Sequence, residues 1–254
     1  MAQFEHLTWS DKGGIGHLRL NRPAKKNAIN DALCREIELV LSNLQSDVRV
    51  VILSGEGPEF CSGLDLSEHT AREPFEVVNH SRMWHRTFAH IRNSGVPVIA
   101  AMQGAVIGGG LELAANAHVR VSDETTYYRL PEGRHGIFVG GGASVTVANI
   151  IGTSRMQEMM LTGRTLNADE GLALGLAHYK VDSEQLMAKA QELAEVILSN
   201  SPYSNWAMTT GLNRIANMSS DDGLYAESLL AGMTQTNPEI KARIDAFLNR
   251  KKKD

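Results

Sequence analysis

Cysteine is scarce in this chain of 254 residues, and the only two are Cys34 and Cys61. Two cysteines are too few for the disulfide framework of a small secreted protein, and they cannot form a zinc site made of cysteines alone. So low a count is typical of a protein that works in a reducing compartment. We therefore expect a cytoplasmic protein, with an organelle matrix as the alternative, whose fold depends on neither disulfides nor a cysteine-bound metal.

Long apolar runs and an excess of positive charge are also missing. No stretch approaches the roughly 20 apolar residues of a membrane-spanning helix. Met1 to Trp9 lacks the basic start and apolar run of a signal peptide. The 25 basic and 29 acidic residues give a net charge of -4, which does not suit a general nucleic-acid binder. The sequence thus predicts neither a membrane nor a nucleic acid as partner.

The composition that remains is that of an ordinary globular protein, with 43% hydrophobic and 21% charged residues. In the first half, strand-like runs alternate with stretches that carry apolar residues at helical spacing, which predicts an α/β layered domain. The predicted strands are 14–20, 48–54, 97–102, 119–122 and 177–181. The predicted helices are 31–44, with Asp31 as its N-cap, 74–92 and 108–117.

The C-terminal part differs, because helical segments follow one another there without strands between them. They span 183–198, 202–215, 221–233 and 238–252, and Pro202 and Pro238 stand near helix starts, where proline is tolerated. We expect a core domain over residues 1–197 and a C-terminal helical region over residues 198–254. That region would pack on the core, closing its site, or on a neighbouring subunit.

One glycine-rich segment, Gly104 to Ala114, carries a chemical signal. It follows the predicted strand 97–102 and contains three consecutive glycines before Leu111 and Glu112. A strand, a glycine turn and a helix expose backbone N–H groups at the positive end of the helix, where an oxyanion or a phosphate is stabilised. A turn with close helix packing explains the glycines equally well. The spacing does not match the Gly-x-Gly-x-x-Gly pattern of a dinucleotide site.

Several motifs, taken in order along most of the chain, resemble those of the crotonase (enoyl-CoA hydratase/isomerase) family. They are Asn21-Arg22-Pro23 with Asn27-Ala28-Ile29, the stretch from Phe60 to Leu66, the stretch from Gly104 to Ala114, Pro131-Glu132, and Phe247 with the basic tail. Each motif alone is weak or moderate, but the ordered set is specific. The resemblance implies an α/β crotonase fold of repeated ββα units with a C-terminal helical region.

The resemblance also implies an oxyanion hole and two acid–base residues. The backbone N–H groups of Leu64 and Gly109 match the family's two donors to the thioester oxygen, on which charge builds as an enolate forms. Glu112 and Glu132 match its two catalytic glutamates. We expect Glu132 to supply the proton and Glu112 to orient and activate water, with one carboxyl group protonated while the other is ionised. The implied reaction is hydration of a 2-enoyl-CoA.

Further residues of these motifs are expected to bind the substrate or its CoA moiety: Lys25, Lys26, Ser62, Gly63, Asp65, Leu66, Gly108, Gly110 and Phe247. For the lysines, the alternative is a solvated charge cluster. The resemblance implies no metal and no redox cofactor, because coenzyme A is part of the acyl-CoA thioester substrate. Family members assemble as trimers or dimers of trimers, so a homo-oligomer is implied.

Other interpretations remain open at this stage. The same oxyanion hole serves isomerases, thioester or β-diketone hydrolases and C–C lyases, although two glutamates are more than a simple isomerase needs. A non-catalytic acyl-CoA-binding or RNA-binding relative fits less well, because the chain is acidic and keeps Glu112 and Glu132. Trp84, His85 and Phe88 either line an acyl pocket or pack in the core. The glycines 140–142 are interpreted as a place of tight packing near the site.

Overall fold

Two β-sheets and a set of α-helices make up the computed structural model, which describes residues 4–68 and 72–250 without the side chains of residues 68, 247 and 250. The strands are β1 (Leu7–Lys12), β2 (Ile15–Leu20), β3 (Val50–Gly55), β4 (Val98–Met102), β5 (Ala105–Ile107), β6 (Val119–Asp123), β7 (Tyr127–Arg129), β8 (Thr165–Asn167) and β9 (Tyr179–Val181). The helices are α1 (Asp31–Ser42), α2 (Pro74–Asn93), α3 (Gly109–Ala115), α4 (Ala143–Ile151), α5 (Thr153–Thr162), α6 (Ala168–Ala173), α7 (Leu186–Ser199), α8 (Pro202–Ile215), α9 (Ser220–Gln235) and α10 (Pro238–Arg250). Single 3₁₀ turns lie at Pro23–Lys25, Leu66–Glu68, Glu132–His135 and Ser183–Gln185.

The strands alternate between the two sheets. The larger sheet has the order β1-β2-β3-β4-β6-β9, and the smaller has the order β5-β7-β8. In the larger sheet β1 and β2 form an antiparallel hairpin, whereas the other neighbours are parallel. Strands β4 and β6 lie in the larger sheet, the strands that directly follow them, β5 and β7, lie in the smaller one, and helices follow each pair. This is the ββα repetition expected from the sequence.

The central strands β3 and β4 are buried on both faces, as parallel strands between helical layers usually are. Val50 and Ile52 point to one face, where they pack with Ala190 of α7. Val51 and Leu53 point to the other face and belong to the main core. Packing on both sides fixes the strand positions, so the loops that follow β3 and β4 are held in place. Those loops carry the Phe60–Leu66 and Gly104–Ala114 motifs.

The strands and helices predicted from the sequence are present, with ends shifted by up to a few residues, and residues 251–252 of the last predicted helix lie outside the described residues. One predicted helix cap was wrong. The N-cap of α1 is Asn30, not Asp31, because the Asn30 side chain accepts a hydrogen bond of 2.9 Å from Leu33 N. Asp31 is the first helical residue, and its carboxylate is free to bind elsewhere. Strands β1, β5, β7 and β8 and helices α4, α5 and α6 were not predicted.

The C-terminal helices form a layer beside the core. Helix α7 packs on the larger sheet and ends at Ser199, and α8 begins at Pro202, two residues after the break at Asn200. Helices α8 and α9 pack against each other, and α8 also contacts α2. The boundary at residue 197 between the core domain and the C-terminal helical region stays a prediction. Among the residues that are described, no helix combines the length and apolar character needed to cross a bilayer.

Candidate active site

The backbone N–H groups of Leu64 and Gly109 flank one small space. A Cβ atom built on Gly109 would lie 3.5 Å from Leu64 N, and one built on Gly63 would lie 3.2 Å from Gly109 N. Neither N–H has an acceptor within the described part of the chain. Gly109 is the first residue of α3, so its N–H lies at the positive end of that short helix. Two unpaired donors side by side can bind an oxygen that carries negative charge.

Strand β5 holds the two donor segments together. Cys61 N–H donates to Ala105 O at 2.9 Å, and Cys61 O accepts from Ile107 N at 3.1 Å. On the far side, Ile29 N–H donates to Gly63 O at 2.7 Å. Gly63 has φ +93°, and a Cβ there would come within 2.7 Å of Ile107 O, so only glycine fits. The Phe60–Leu66 loop is therefore fixed against the start of α3.

Glu112 lies on α3 and is almost fully buried. Its Oε1 accepts hydrogen bonds from Gly141 N at 2.9 Å and from Ala143 N at 3.0 Å. A Cβ on Gly141 would lie 2.6 Å from Glu112 Oε2, so the glycine makes room for the carboxyl group. Of the three glycines 140–142, only Gly141 shows the expected tight packing, since a Cβ on Gly140 or Gly142 would come no closer than 3.9 Å to another residue.

Glu132 begins the 3₁₀ turn after β7 and is also buried, with an exposed fraction of 7%. Its Oε1 lies 3.0 Å from where a Cβ on Gly108 would be, which places it beside the turn that leads into α3. Its Oε2 has no hydrogen-bond partner in the described structure. An unpaired, buried carboxyl oxygen is costly as an anion, and this favours the protonated form.

Burial raises the pKa of both glutamates. The pKa of Glu132 rises to about 7, chiefly by burial, and the neighbouring Glu112 raises it further. Burial also raises the pKa of Glu112, but the N–H groups of Ala143 and Gly141 oppose that rise because they stabilise the anion. Glu132 is therefore the better candidate to hold a proton at neutral pH, and Glu112 the better candidate to be ionised.

A cavity of about 150 Å³, here called the central pocket, joins these groups. It is lined by Leu64, Arg72, Val77, His80, Ser81, Trp84, Gly109, Glu112, Glu132, Ile137, Phe138, Val139, Gly140 and Gly141. Of the three aromatic residues singled out on α2, Trp84 lines this pocket and contacts the position of Gly109. Phe88 packs edge-on against Trp84 in the core, and His85 is exposed.

The residues expected to bind CoA divide into surface and support groups. Lys25 and Lys26 lie on the surface; Lys25 Nζ donates to Ser67 Oγ at 3.0 Å, and Lys26 Nζ lies 3.4 Å from Glu59 Oε1. Asp65 is buried and pairs with Arg22 at 2.9 Å, which ties the loop after β2 to the donor loop. Direct contact of these side chains with substrate stays a prediction.

The remaining predicted binding positions follow the backbone. Gly108 has φ +50° at the turn before α3, and Gly110 packs directly on Cys61 O, where a Cβ would come within 2.3 Å. Leu66 is exposed, and Ser62 is half-buried beside Lys25. The Phe247 side chain lies outside the described residues. These positions surround the donor loop, and their contact with substrate stays a prediction.

Sequence reasoning missed the groups that hold the glutamates and the polar wall of the pocket. The N–H groups of Gly141 and Ala143 leave no side-chain signal. Arg72 and His80 also line the pocket, and His80 binds Asp31. The spacing of Val77, His80 and Trp84 on α2 was the available signal, since residues three and four apart share a helix face.

An alternation of ββα units and two free N–H groups beside two buried carboxyl groups define a crotonase-type protein. A family model described as enoyl-CoA hydratase/isomerase matches residues 10–254, and the chain belongs to that family. The short-chain-enoyl-CoA hydratase of Clostridium acetobutylicum is 29% identical over 98% of this chain and 97% of its own. An enoyl-CoA isomerase/hydratase of Mycosarcoma maydis is 29% identical over 99% and 96%. The crystal structure of an enoyl-CoA hydratase candidate from Rhodopseudomonas palustris CGA009 has a TM-score of 0.94 and 44% identity, covering 99% of both chains.

Proposed function

We propose that this protein adds water across the 2,3 double bond of a 2-enoyl-CoA thioester. The observation that carries the proposal is the pair of buried carboxyl groups, Glu112 and Glu132, which face one pocket beside the free N–H groups of Leu64 and Gly109. Coenzyme A enters only as part of the substrate, so the reaction as proposed calls on no further cofactor. The pairing of an acid with a base in a closed pocket is what hydration requires.

In the proposed reaction the two N–H groups bind the thioester oxygen. Their hydrogen bonds strengthen as charge moves onto that oxygen, which makes C3 of the substrate electrophilic, and one such donor is commonly worth roughly 3 kcal/mol of barrier. Glu112 accepts a proton from a water molecule while the water oxygen bonds to C3 of the substrate. This addition yields an enolate. Glu132 then gives its proton to C2, and the thioester carbonyl re-forms. One proton of the water goes to Glu112, and the other stays in the new hydroxyl group on C3. Transfer of a proton from Glu112 to Glu132 then restores the starting state of both carboxyl groups.

The assignment of the two roles rests on the different surroundings of the carboxyl groups. Glu112 receives two backbone hydrogen bonds that stabilise its anion, and an anion is the form that accepts a proton. Glu132 has an unpaired oxygen and a pKa of about 7, so its protonated form is available near neutral pH. Groups whose environments separate their proton affinities in this way suit a general base and a general acid.

The test is loss of the ultraviolet band of a conjugated enoyl thioester, measured with crotonyl-CoA and with larger enoyl-CoA substrates. We expect reversible hydration by the unaltered protein and a fall of at least about 10²-fold in kcat for Glu112→Gln and for Glu132→Gln. Each variant keeps the shape of the side chain, so binding of a CoA ester and a cooperative thermal unfolding transition serve as the control for folding. Full activity in either variant would overturn the role of that glutamate.

Double-bond isomerisation is the second candidate, because relatives are named both as hydratases and as isomerases. An isomerase moves a proton between two carbons and needs one base. A 3-enoyl-CoA substrate separates the two reactions, since isomerisation creates the conjugated band and hydration removes it. Appearance of the band without later loss, together with a stable 2-enoyl-CoA, would replace hydration with isomerisation.

A further inference from the structure

The carboxylate of Asp31 holds a histidine in the wall of the central pocket. His80 Nε2 lies 2.7 Å from Asp31 Oδ1, across 49 residues of sequence. Arg72 Nη2 lies 3.7 Å from the other oxygen, Asp31 Oδ2. Asp31 is available for this because Asn30 caps α1. One carboxylate therefore fixes two side chains that both line the pocket.

His80 and Arg72 stand where the central pocket opens outward. Both also line two adjoining cavities of about 260 Å³ and 580 Å³. The His80 ring is 6.0 Å from the ring of Trp84, which abuts Gly109. An extended chain advances roughly 1.2 Å per bond, as a polypeptide does. The 6.0 Å between the two rings corresponds to about five such bonds, so an acyl chain that passes Trp84 needs roughly that length to reach His80.

His80 and Arg72 each have polar atoms that do not contact Asp31. An ionised carboxylate only accepts hydrogen bonds, so His80 Nε2 carries the proton toward Asp31. His80 Nδ1 has no partner among the described residues, and it can accept from a hydroxyl group or, when protonated, donate to an oxygen. The guanidinium of Arg72 is a permanent donor. A hydrocarbon chain would remove water from these groups and give no hydrogen bond in return.

We propose that His80, held by Asp31 and helped by Arg72, recognises an oxygen-bearing acyl group, so that the substrate carries a hydroxyl or a carboxylate near its fifth or sixth carbon. This proposal rests on the proposed function, since it names the substrate class of the same site. The Nδ1 acceptor and the arginine donor together suit a hydroxyl group. The arginine with a protonated histidine suits a carboxylate. Either substituent supplies an oxygen atom that takes the place of a water molecule beside these side chains.

The first test compares three enoyl-CoA substrates of equal length: 2-hexenoyl-CoA, 6-hydroxy-2-hexenoyl-CoA and 2-hexenedioyl-CoA. We expect kcat/KM for one of the two oxygenated substrates to exceed that of the hydrocarbon by about tenfold or more, the value of one good hydrogen bond. The better of the two tells whether a hydroxyl or a carboxylate is recognised. A preference for 2-hexenoyl-CoA would overturn the proposal and leave the hydratase intact. No turnover of any of them, despite binding, would instead overturn the hydratase.

Variants then tie the preference to His80. His80→Phe keeps an aromatic ring but removes both nitrogens, so the ratio of kcat/KM for the oxygenated substrate to kcat/KM for 2-hexenoyl-CoA is expected to fall to about one, chiefly through a higher KM for the oxygenated substrate. His80→Gln keeps a polar end and is expected to retain part of the preference. His90→Phe is the matched control, because His90 forms a similar pair with Glu38 at 3.5 Å on the same helix and away from the pocket. An equal loss for all three substrates in His80→Phe would show a structural role and overturn the assignment.

Discussion

At the scale of single residues, the carboxyl group of Glu132 couples stability to pH. Its pKa is about 7 in the folded protein against an ordinary value of 4.5, so the folded state holds the proton longer than the unfolded state does. Its contribution to stability is complete below pH 4.5 and is lost as the pH rises through about 7. The difference amounts to up to roughly 3 kcal/mol. Burial of Glu132 therefore lowers stability at higher pH, but it keeps a proton on the carboxyl group near neutral pH.

We therefore expect Glu132→Gln to gain stability over the unaltered protein as the pH rises from 5 to 8. The measurement is the urea midpoint of both proteins at each pH, a comparison that cancels the titrating groups that do not interact with Glu132. In parallel, kcat/KM for hydration should fall above pH 7, as the acid form of Glu132 disappears. A constant difference in midpoint between the two pH values would contradict the raised pKa.

At the scale of elements, the active site depends on how the loop before α4 meets α3. The backbone of residues 141–143 supplies the hydrogen bonds to Glu112, and Gly141 lies between that carboxyl group and Phe88. A Cβ on Gly141 would come within 2.6 Å of Glu112 Oε2 and 2.8 Å of Phe88. Neither neighbour can yield without moving the loop or the Glu112 carboxyl group. The loop before α4 can lie this close to Glu112 because Gly141 has no side chain.

Gly141→Ala is expected to lower kcat by about tenfold or more and to destabilise the fold by about 1–3 kcal/mol, because overpacking forces buried groups apart. Ser144→Ala is the control, since Ser144 lies three residues on and its side chain is exposed. Activity assays and thermal melts of both variants check the prediction. Unchanged kcat in Gly141→Ala would mean that the orientation of Glu112 does not limit the reaction.

The same scale shows what the sequence can predict and where it stops. The strands β3 and β4 were predictable because they are continuous apolar runs. Strands β5, β7 and β8 have three residues each, which gives little periodic signal, and the equally short β9 was predicted only as part of the longer segment 177–181. The prediction of Asp31 as N-cap failed because the preceding residue, Asn30, is of a type that suits this position as well. Motif order pointed to Glu112 and Glu132. The pairing of His80 with Asp31 was out of reach, since it joins two helices that only the tertiary fold brings together.

At the scale of the whole molecule, the C-terminal helices α8 and α9 expose several large apolar side chains at helical spacing. Tyr225, Leu229 and Met233 recur every fourth residue on α9, so they form one stripe, and their exposed fractions are 69%, 53% and 60%. On the neighbouring α8, Met208 and Leu212 are exposed at the same spacing. The small net charge of -4 offers little electrostatic resistance to self-association. We expect these helices to form the contact between subunits.

The measurement is molar mass by light scattering during size-exclusion chromatography. We expect three or six times the chain mass of 27.7 kDa for the unaltered protein, because closed symmetry satisfies every copy of such a surface. Leu229→Glu places a charge in the apolar stripe and should shift the protein to smaller species, since an unpaired buried charge is costly. Leu161→Glu is the control, because Leu161 on α5 is 86% exposed and lies on another helix. A monomeric unaltered protein, or an equal effect of both variants, would contradict the assignment of α8 and α9 to a contact between subunits.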